Sequence, residues 1–119
     1  MAARLAPEIV RQRLLIEGYY DGEIDEPRIE SYLQGLAAHL GLRTYGRSAI
    51  FSPGGAGRTE NQGFDAFVPL IDSGISIYVW TGASFVAVVL FTCKAFDEQA
   101  AIDYTSRTLS LGDFDTRAF

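Results

Sequence analysis

The chain has 119 residues, of which 48% are hydrophobic, and its fifteen acidic and ten basic residues give a net charge of −5. A chain of this length buries about two-thirds of its unfolded surface, so we expect one domain over residues 1–119. The negative charge argues against nucleic acid, whose phosphates need basic side chains, and modestly favours a cationic small molecule as the partner.

The cysteine content and the apolar runs bear on the compartment. Cys93 is the single cysteine, so no internal disulfide is possible, and the start "MAARLAPEIVRQRLL" lacks the unbroken apolar core of a secretory signal. The longest apolar run, "FVAVVLF" at 85–91, is far below the roughly 18 residues of a membrane-spanning helix. We therefore expect a cytoplasmic protein without a membrane segment.

The chain opens with a predicted strand and a predicted helix. Residues 13–20, "RLLIEGYY", are rich in β-branched and aromatic residues and stop at the turn pair Asp21-Gly22. Apolar residues at helical spacing then predict a helix that begins near Pro27 and ends at Gly41.

Four further strands are predicted in the middle of the chain. The first, at 43–51, precedes the segment "SPGGAGRTENQG", whose glycines and prolines predict an exposed, flexible loop at 52–63. Three short segments with strand-like composition follow at 64–70, 73–80 and 84–92.

A last helix is predicted from near Asp97 to near Leu109 and Ser110. The order βαββββα predicts an α+β two-layer sandwich, with two helices on one face of a mainly antiparallel sheet. Residues 84–92 are apolar on both alternations, which is typical of a central strand buried on both sides. We therefore expect a face-to-face homodimer or higher oligomer, with a monomer that keeps an apolar central strand as the alternative.

The last two long strands predict a candidate site. If "TGAS" is a two-residue hairpin turn, the register pairs Ser73 with Thr92 and Asp72 with Cys93. Side-chain alternation then places Tyr78 on the same face as Cys93. A serine, a thiol and a phenol are therefore expected along one rim, although a strand-end cap and a small core residue are the ordinary alternative.

The segments "DSGISIYVW" and "VVLFTC" resemble the core signature of the bacterial S-adenosylmethionine decarboxylase family. That signature has an acid-Ser-His triplet, an Ile-His-x-Trp segment and a Phe-Thr-Cys ending at the same spacing. The positions that match are Asp72, Ser73, Ile77, Trp80, Phe91, Thr92 and Cys93. The resemblance extends over roughly 13–109, and its specific part is confined to 72–93.

The resemblance implies a chemistry for these residues. In the family the chain breaks before the serine, which becomes an N-terminal pyruvoyl group that serves as the electron sink for decarboxylation. By resemblance, Ser73 is the pyruvoyl precursor, Asp72 precedes the cut, and Cys93 is the proton donor. Trp80 and Phe64 are the implied substrate-binding residues, the substrate is a cationic S-adenosylmethionine-like molecule of polyamine-type metabolism, and no metal is expected.

Several family residues are replaced in this chain. Tyr78 and Gly74 stand where the family has histidines, Asp65 stands for its processing serine, and Gly82 stands for the acid that holds the substrate ribose. Phenols ionise near pH 10, so a tyrosine is a poor base near neutral pH compared with an imidazole. Tyr78 and Asp65 are the remaining candidate catalytic bases beside Ser73 and Cys93.

Three hypotheses remain open from the sequence. The first is a divergent pyruvoyl-dependent decarboxylase of S-adenosylmethionine or a related amino acid. The second is an unprocessed paralogue, without a cofactor, that binds a small ligand or a homologous subunit. The third is a pyruvoyl-independent lyase or cyclase that acts on a sulfonium substrate with Tyr78 or Asp65 as its base.

Overall fold

The computed structural model of the protein describes residues 5–52 and 62–119. Most of the predicted loop at 52–63 lies outside these residues. The elements are β1 (Gln12–Tyr20), α1 (Glu26–His39), β2 (Ala49–Phe51), β3 (Gly63–Leu70), β4 (Ser73–Trp80), β5 (Phe85–Thr92), α2 (Glu98–Thr108) and β6 (Leu111–Ala118).

The strands form one six-stranded sheet in the order β2-β3-β4-β5-β1-β6, and all neighbours are antiparallel. The chain runs through β2 to β5 as a meander, while β1 inserts between β5 and β6. The structure confirms the predicted α+β sandwich and places β4 and β5 in the middle of the sheet.

Both helices begin where the sequence predicts, because each has an aspartate cap. The Asp25 carboxylate accepts a hydrogen bond from the Arg28 N–H at 3.0 Å, and the Asp97 carboxylate accepts one from the Ala100 N–H at 3.1 Å. Gly41, with φ of 72°, ends the first helix in the left-handed conformation that glycine adopts without strain.

The core lies between the helices and one face of the sheet. Strand residues that alternate toward the helices are buried, whereas their neighbours are not. The core includes Leu14, Ile16, Tyr32, Leu33, Leu36, Val68, Ile75, Ile77, Val88, Leu90 and Ala101.

The second predicted strand is much shorter than expected. Only Ala49–Phe51 forms a strand, and Thr44 makes an isolated bridge to Leu70. Beyond Tyr45, whose N–H donates to the Pro69 carbonyl, the segment between them is held by α1: the Gln34 side chain donates to the Gly46 carbonyl, and the Glu30 carboxylate accepts from the Ser48 N–H.

The strand β6 was not predicted, so the βαββββα order lacked its last element. Its sequence "LGDFDTRA" contains a glycine and two aspartates, and most of its residues are exposed. Strand propensity is low for such a segment. The strand exists because its backbone pairs with β1 along Leu14 to Tyr20.

The sheet face opposite the helices is termed the open face. It is formed by Asp65 and Phe67 of β3, Gly74, Ser76, Tyr78 and Trp80 of β4, Phe85, Ala87, Val89 and Phe91 of β5, and Arg13, Leu15, Glu17 and Tyr19 of β1. Phe67, Phe91 and Tyr78 are 44%, 42% and 38% exposed. Among the described residues, none of the helices is long and apolar enough to cross a membrane.

Candidate active site

The predicted processing position lies at a tight turn between β3 and β4. Leu70 pairs with Ser73, so Ile71 and Asp72 form the turn. Asp72 has a φ of 62°, in the left-handed region that aspartate tolerates better than most residues. The peptide bond between Asp72 and Ser73 therefore sits at the tip of a hairpin.

The predicted register of β4 and β5 is confirmed. Ser73 pairs with Thr92 and Tyr78 pairs with Ala87. The backbone N–H of Cys93 donates a hydrogen bond of 3.1 Å to the Ser73 hydroxyl. Residues that are twenty positions apart are therefore in direct contact, as the hairpin turn predicted.

A recess of about 340 Å³ opens on the open face beside this turn, and we call it the Ser73 recess. It is lined by Phe67, Asp72, Ser73, Gly74, Ser76, Val89 and Phe91. Two phenyl rings and one carboxylate border it, so it offers apolar contact together with negative charge.

The ring of Phe67 lies over Gly74. A side-chain Cβ built at Gly74 would lie 2.6 Å from Cε1 and 2.7 Å from Cζ of this ring. Real Cβ atoms essentially never come so close, so the ring occupies the space of a side chain at position 74. Sequence reasoning missed Phe67, although alternation from Asp65 already placed it on the same face.

The other candidate residues lie at the far end of β4. Tyr78 is five residues beyond Ser73, or roughly 17 Å further along the strand, because each strand residue advances the chain by about 3.4 Å. Asp65 pairs directly with Tyr78. The expected rim of serine, thiol and phenol is therefore divided within one chain into two separate groups.

The two implied substrate-binding residues also differ in position. The ring of Trp80 lies 5.7 Å from that of Phe85, at the Tyr78 end of the open face. Phe64 is half-buried and packs against the core, on the side that faces the helices. The structure thus brings neither of them to Ser73.

The only histidine of the sequence, His39, is also remote from Ser73. It lies in the last turn of α1, and its ring stacks on Tyr104 of α2 with the centroids 5.0 Å apart. The helices cover the opposite face of the sheet, so no imidazole of this chain belongs to the open face.

The protein is an α+β sandwich in which the Ser73 hydroxyl accepts a hydrogen bond from the Cys93 backbone at the end of the central β4–β5 hairpin. A family model described as S-adenosylmethionine decarboxylase matches residues 15–119, and the chain therefore belongs to that family. No curated protein matches the chain significantly.

Among solved structures, the chain is similar to the crystal structure of the adenosylmethionine decarboxylase from Aquifex aeolicus VF5. The two are 22% identical, the TM-score is 0.72, and the match covers 93% of this chain and 89% of that one. This likeness confirms the fold.

Decarboxylases of this family generally depend on a pyruvoyl group made from a serine. By its sequence resemblance Ser73 is the candidate for such a group, but in this structure its surroundings do not fit the formation of one. In the described part of the chain, the Ser73 hydroxyl only accepts a hydrogen bond, from the Cys93 N–H, and no base accepts its proton. A nucleophilic hydroxyl requires such a base within hydrogen-bonding distance.

Proposed function

We propose that the protein binds a cationic, S-adenosylmethionine-like small molecule in the Ser73 recess. The observation that carries the proposal is the arrangement of Phe67, Phe91 and Asp72 around one recess in a chain of this family. The similar protein from Aquifex aeolicus is an adenosylmethionine decarboxylase, which supports a ligand of this chemistry.

The chemistry of the recess favours a positive charge attached to an apolar body. Aromatic faces attract a cation by about 0.5–1 kcal/mol each at exposed sites, and a carboxylate adds direct charge attraction. Asp72 is the acidic member of the recess, while Phe67, Phe91 and Val89 supply apolar surface. The net charge of −5 adds a weak attraction over longer range.

A face-to-face homodimer belongs to this proposal. Within one chain, the Ser73 recess and the group of Tyr78, Asp65 and Trp80 lie at opposite ends of β4. A twofold axis that lies parallel to the sheet and perpendicular to β4 places the recess of one copy against the Tyr78 end of the other. Exposed aromatic rings on the open face supply the apolar area that such a contact buries.

Calorimetric titration with S-adenosylmethionine and S-adenosylhomocysteine tests the binding. The two compounds differ by one methyl group and by the positive charge on sulfur. We expect S-adenosylmethionine to bind roughly tenfold more tightly, which corresponds to about 1.4 kcal/mol. Asp72→Asn should reduce this preference to about threefold or less, because the carboxylate charge is lost.

Asp103→Asn is the matched control, since it removes the same charge from an exposed position of α2. This control should retain the full preference for the sulfonium compound. Equal affinity for the two compounds, or no binding of either in the millimolar range, would contradict the proposal.

Pyruvoyl-dependent decarboxylation of the bound molecule is a second candidate. The contact between Ser73 and the Cys93 backbone favours it, because it joins the candidate precursor to the residue with the candidate proton-donor thiol. This candidate requires that Ser73 be converted, whereas ligand binding does not. The covalent state of the chain at Ser73 therefore distinguishes the two candidate functions.

A further inference from the structure

We infer that the peptide bond between Asp72 and Ser73 stays intact in the working protein, so that the Ser73 recess binds its ligand without a pyruvoyl group. The inference rests on the location of the recess proposed above. It does not depend on which ligand the recess takes.

Self-cleavage needs two proton transfers at Ser73. In the first step, the hydroxyl oxygen forms a bond to the Asp72 carbonyl carbon, the C–N bond breaks, and the hydroxyl proton passes to the nitrogen. In the second step, the Cα proton of Ser73 leaves as the bond from Cβ to oxygen breaks. This step releases the main-chain carboxylate of Asp72 as a new C-terminus. Each step requires a group that takes a proton near neutral pH.

Among the described residues, no side chain accepts a hydrogen bond from the Ser73 hydroxyl: the Asp72 carboxylate and the Cys93 thiol are its neighbours, but neither makes this contact. The hydroxyl accepts from the Cys93 N–H, so this contact orients the oxygen but removes no proton. Within one chain, Tyr78 and Asp65 lie roughly 17 Å along the strand. The imidazole of His39 belongs to α1, which packs on the other face of the sheet.

A second copy on the open face does not repair this deficit. It brings another Tyr78 and another Asp65 to the recess, and it brings no imidazole. Near neutral pH a phenol is a much poorer base than an imidazole. A face-to-face homodimer therefore completes a binding site without completing a cleavage site.

The ring of Phe67 lies in the space that an imidazole beside the serine would need. The ring lies where a side chain at position 74 would begin, so a larger residue next to Ser73 requires the Phe67 ring to turn away. The small residue at 74 and the large residue at 67 are complementary. This packing gives the recess an apolar wall.

Denaturing mass spectrometry of the full chain tests the inference. We expect one species at 13.0 kDa after prolonged incubation at neutral pH. We further expect cleavage into fragments 1–72 and 73–119 in the combined variant Asp65→Ser, Phe67→Ala, Gly74→His and Tyr78→His, which supplies imidazoles and the space for one of them. The same variant with Phe67 retained should cleave at least tenfold more slowly.

Ser73→Ala in the combined variant is the control, and it should abolish cleavage while the fold, followed by circular dichroism, is unchanged. A native chain that splits between residues 72 and 73 would overturn the inference. A combined variant that folds but stays intact would show that the missing imidazoles are not the reason why the native chain is uncleaved, and it would overturn that part of the inference. The calorimetric titration tests ligand binding separately, so a failure of either proposal is recognised on its own.

Discussion

Two hydroxyl groups are buried side by side between the helices, at Tyr32 of α1 and Thr105 of α2. Both residues are fully buried, and their oxygens are 2.7 Å apart. Burial raises the pKa of the Tyr32 phenol above its ordinary value of 10, while the contact with Thr105 lowers it in part. Each hydroxyl thus has its hydrogen-bond partner in the other helix.

Thr105→Val removes one partner and leaves the Tyr32 hydroxyl buried without a hydrogen bond. We expect a loss of about 1–3 kcal/mol in the free energy of unfolding, measured by urea denaturation. The double variant Tyr32→Phe with Thr105→Val should be more stable than Thr105→Val alone, because it leaves no unpaired hydroxyl. A double variant that is less stable than either single variant would contradict this account.

The predictable part of the candidate site follows from backbone rules. The spacing of "TGAS" fixed the pairing of Ser73 with Thr92, which brings Cys93 to the serine. The position of the Phe67 ring over Gly74 could not be predicted in the same way, because it depends on a side-chain conformation on the neighbouring strand. The separation of Tyr78 from Ser73 could be predicted, because the two residues are five positions apart in one strand.

At the scale of elements, α1 and β6 differ in how their sequences specify them. The helix has a capping aspartate, an early proline and a glycine just past its end, all of which are local signals. The strand β6 has aspartates and few buried residues, so its sequence carries almost no apolar alternation. Its position is determined by a partner strand nearly one hundred residues earlier, which no local pattern reveals.

Close backbone contact between β1 and β6 depends on Gly18. A Cβ at this position would collide with the Phe114 side chain and would lie 2.6 Å from the Asp113 carbonyl oxygen. The register of the two strands also shifts between Gly18 and Tyr20. The glycine therefore allows the last strand to approach a sheet that its own side chains do little to hold.

Gly18→Ala should push β6 away from β1 and lower the free energy of unfolding by about 1–3 kcal/mol, as overpacking does. Gly82→Ala, in the turn between β4 and β5, is the matched control, because a Cβ there meets nothing within 4 Å. Urea denaturation of both variants gives the comparison, and hydrogen exchange should show faster exchange confined to β6. Equal stability of the two variants would show that β6 adjusts without cost.

At the scale of the whole molecule, the sheet has one face filled by helices and one face with exposed aromatic rings. Leu15 and Val89 are paired neighbours at the centre of the open face and are only half-buried. Apolar surface of this kind is usually covered in solution by another protein surface. The proposed homodimer would cover this surface and would also join the two separated groups of candidate residues.

We therefore expect a mass of about twice 13.0 kDa in sedimentation equilibrium. Leu15→Asp places a charge at the centre of the open face and should shift the protein to the monomer, because burying an unpaired carboxylate costs several kcal/mol. Tyr45→Asp is the control, since this residue is 69% exposed and lies outside the sheet strands, and it should remain dimeric. If the monomeric Leu15→Asp variant binds S-adenosylmethionine as tightly as the dimer does, the recess is complete in one chain. If the variant binds at least tenfold more weakly, the Tyr78 end of the second copy contributes to the site.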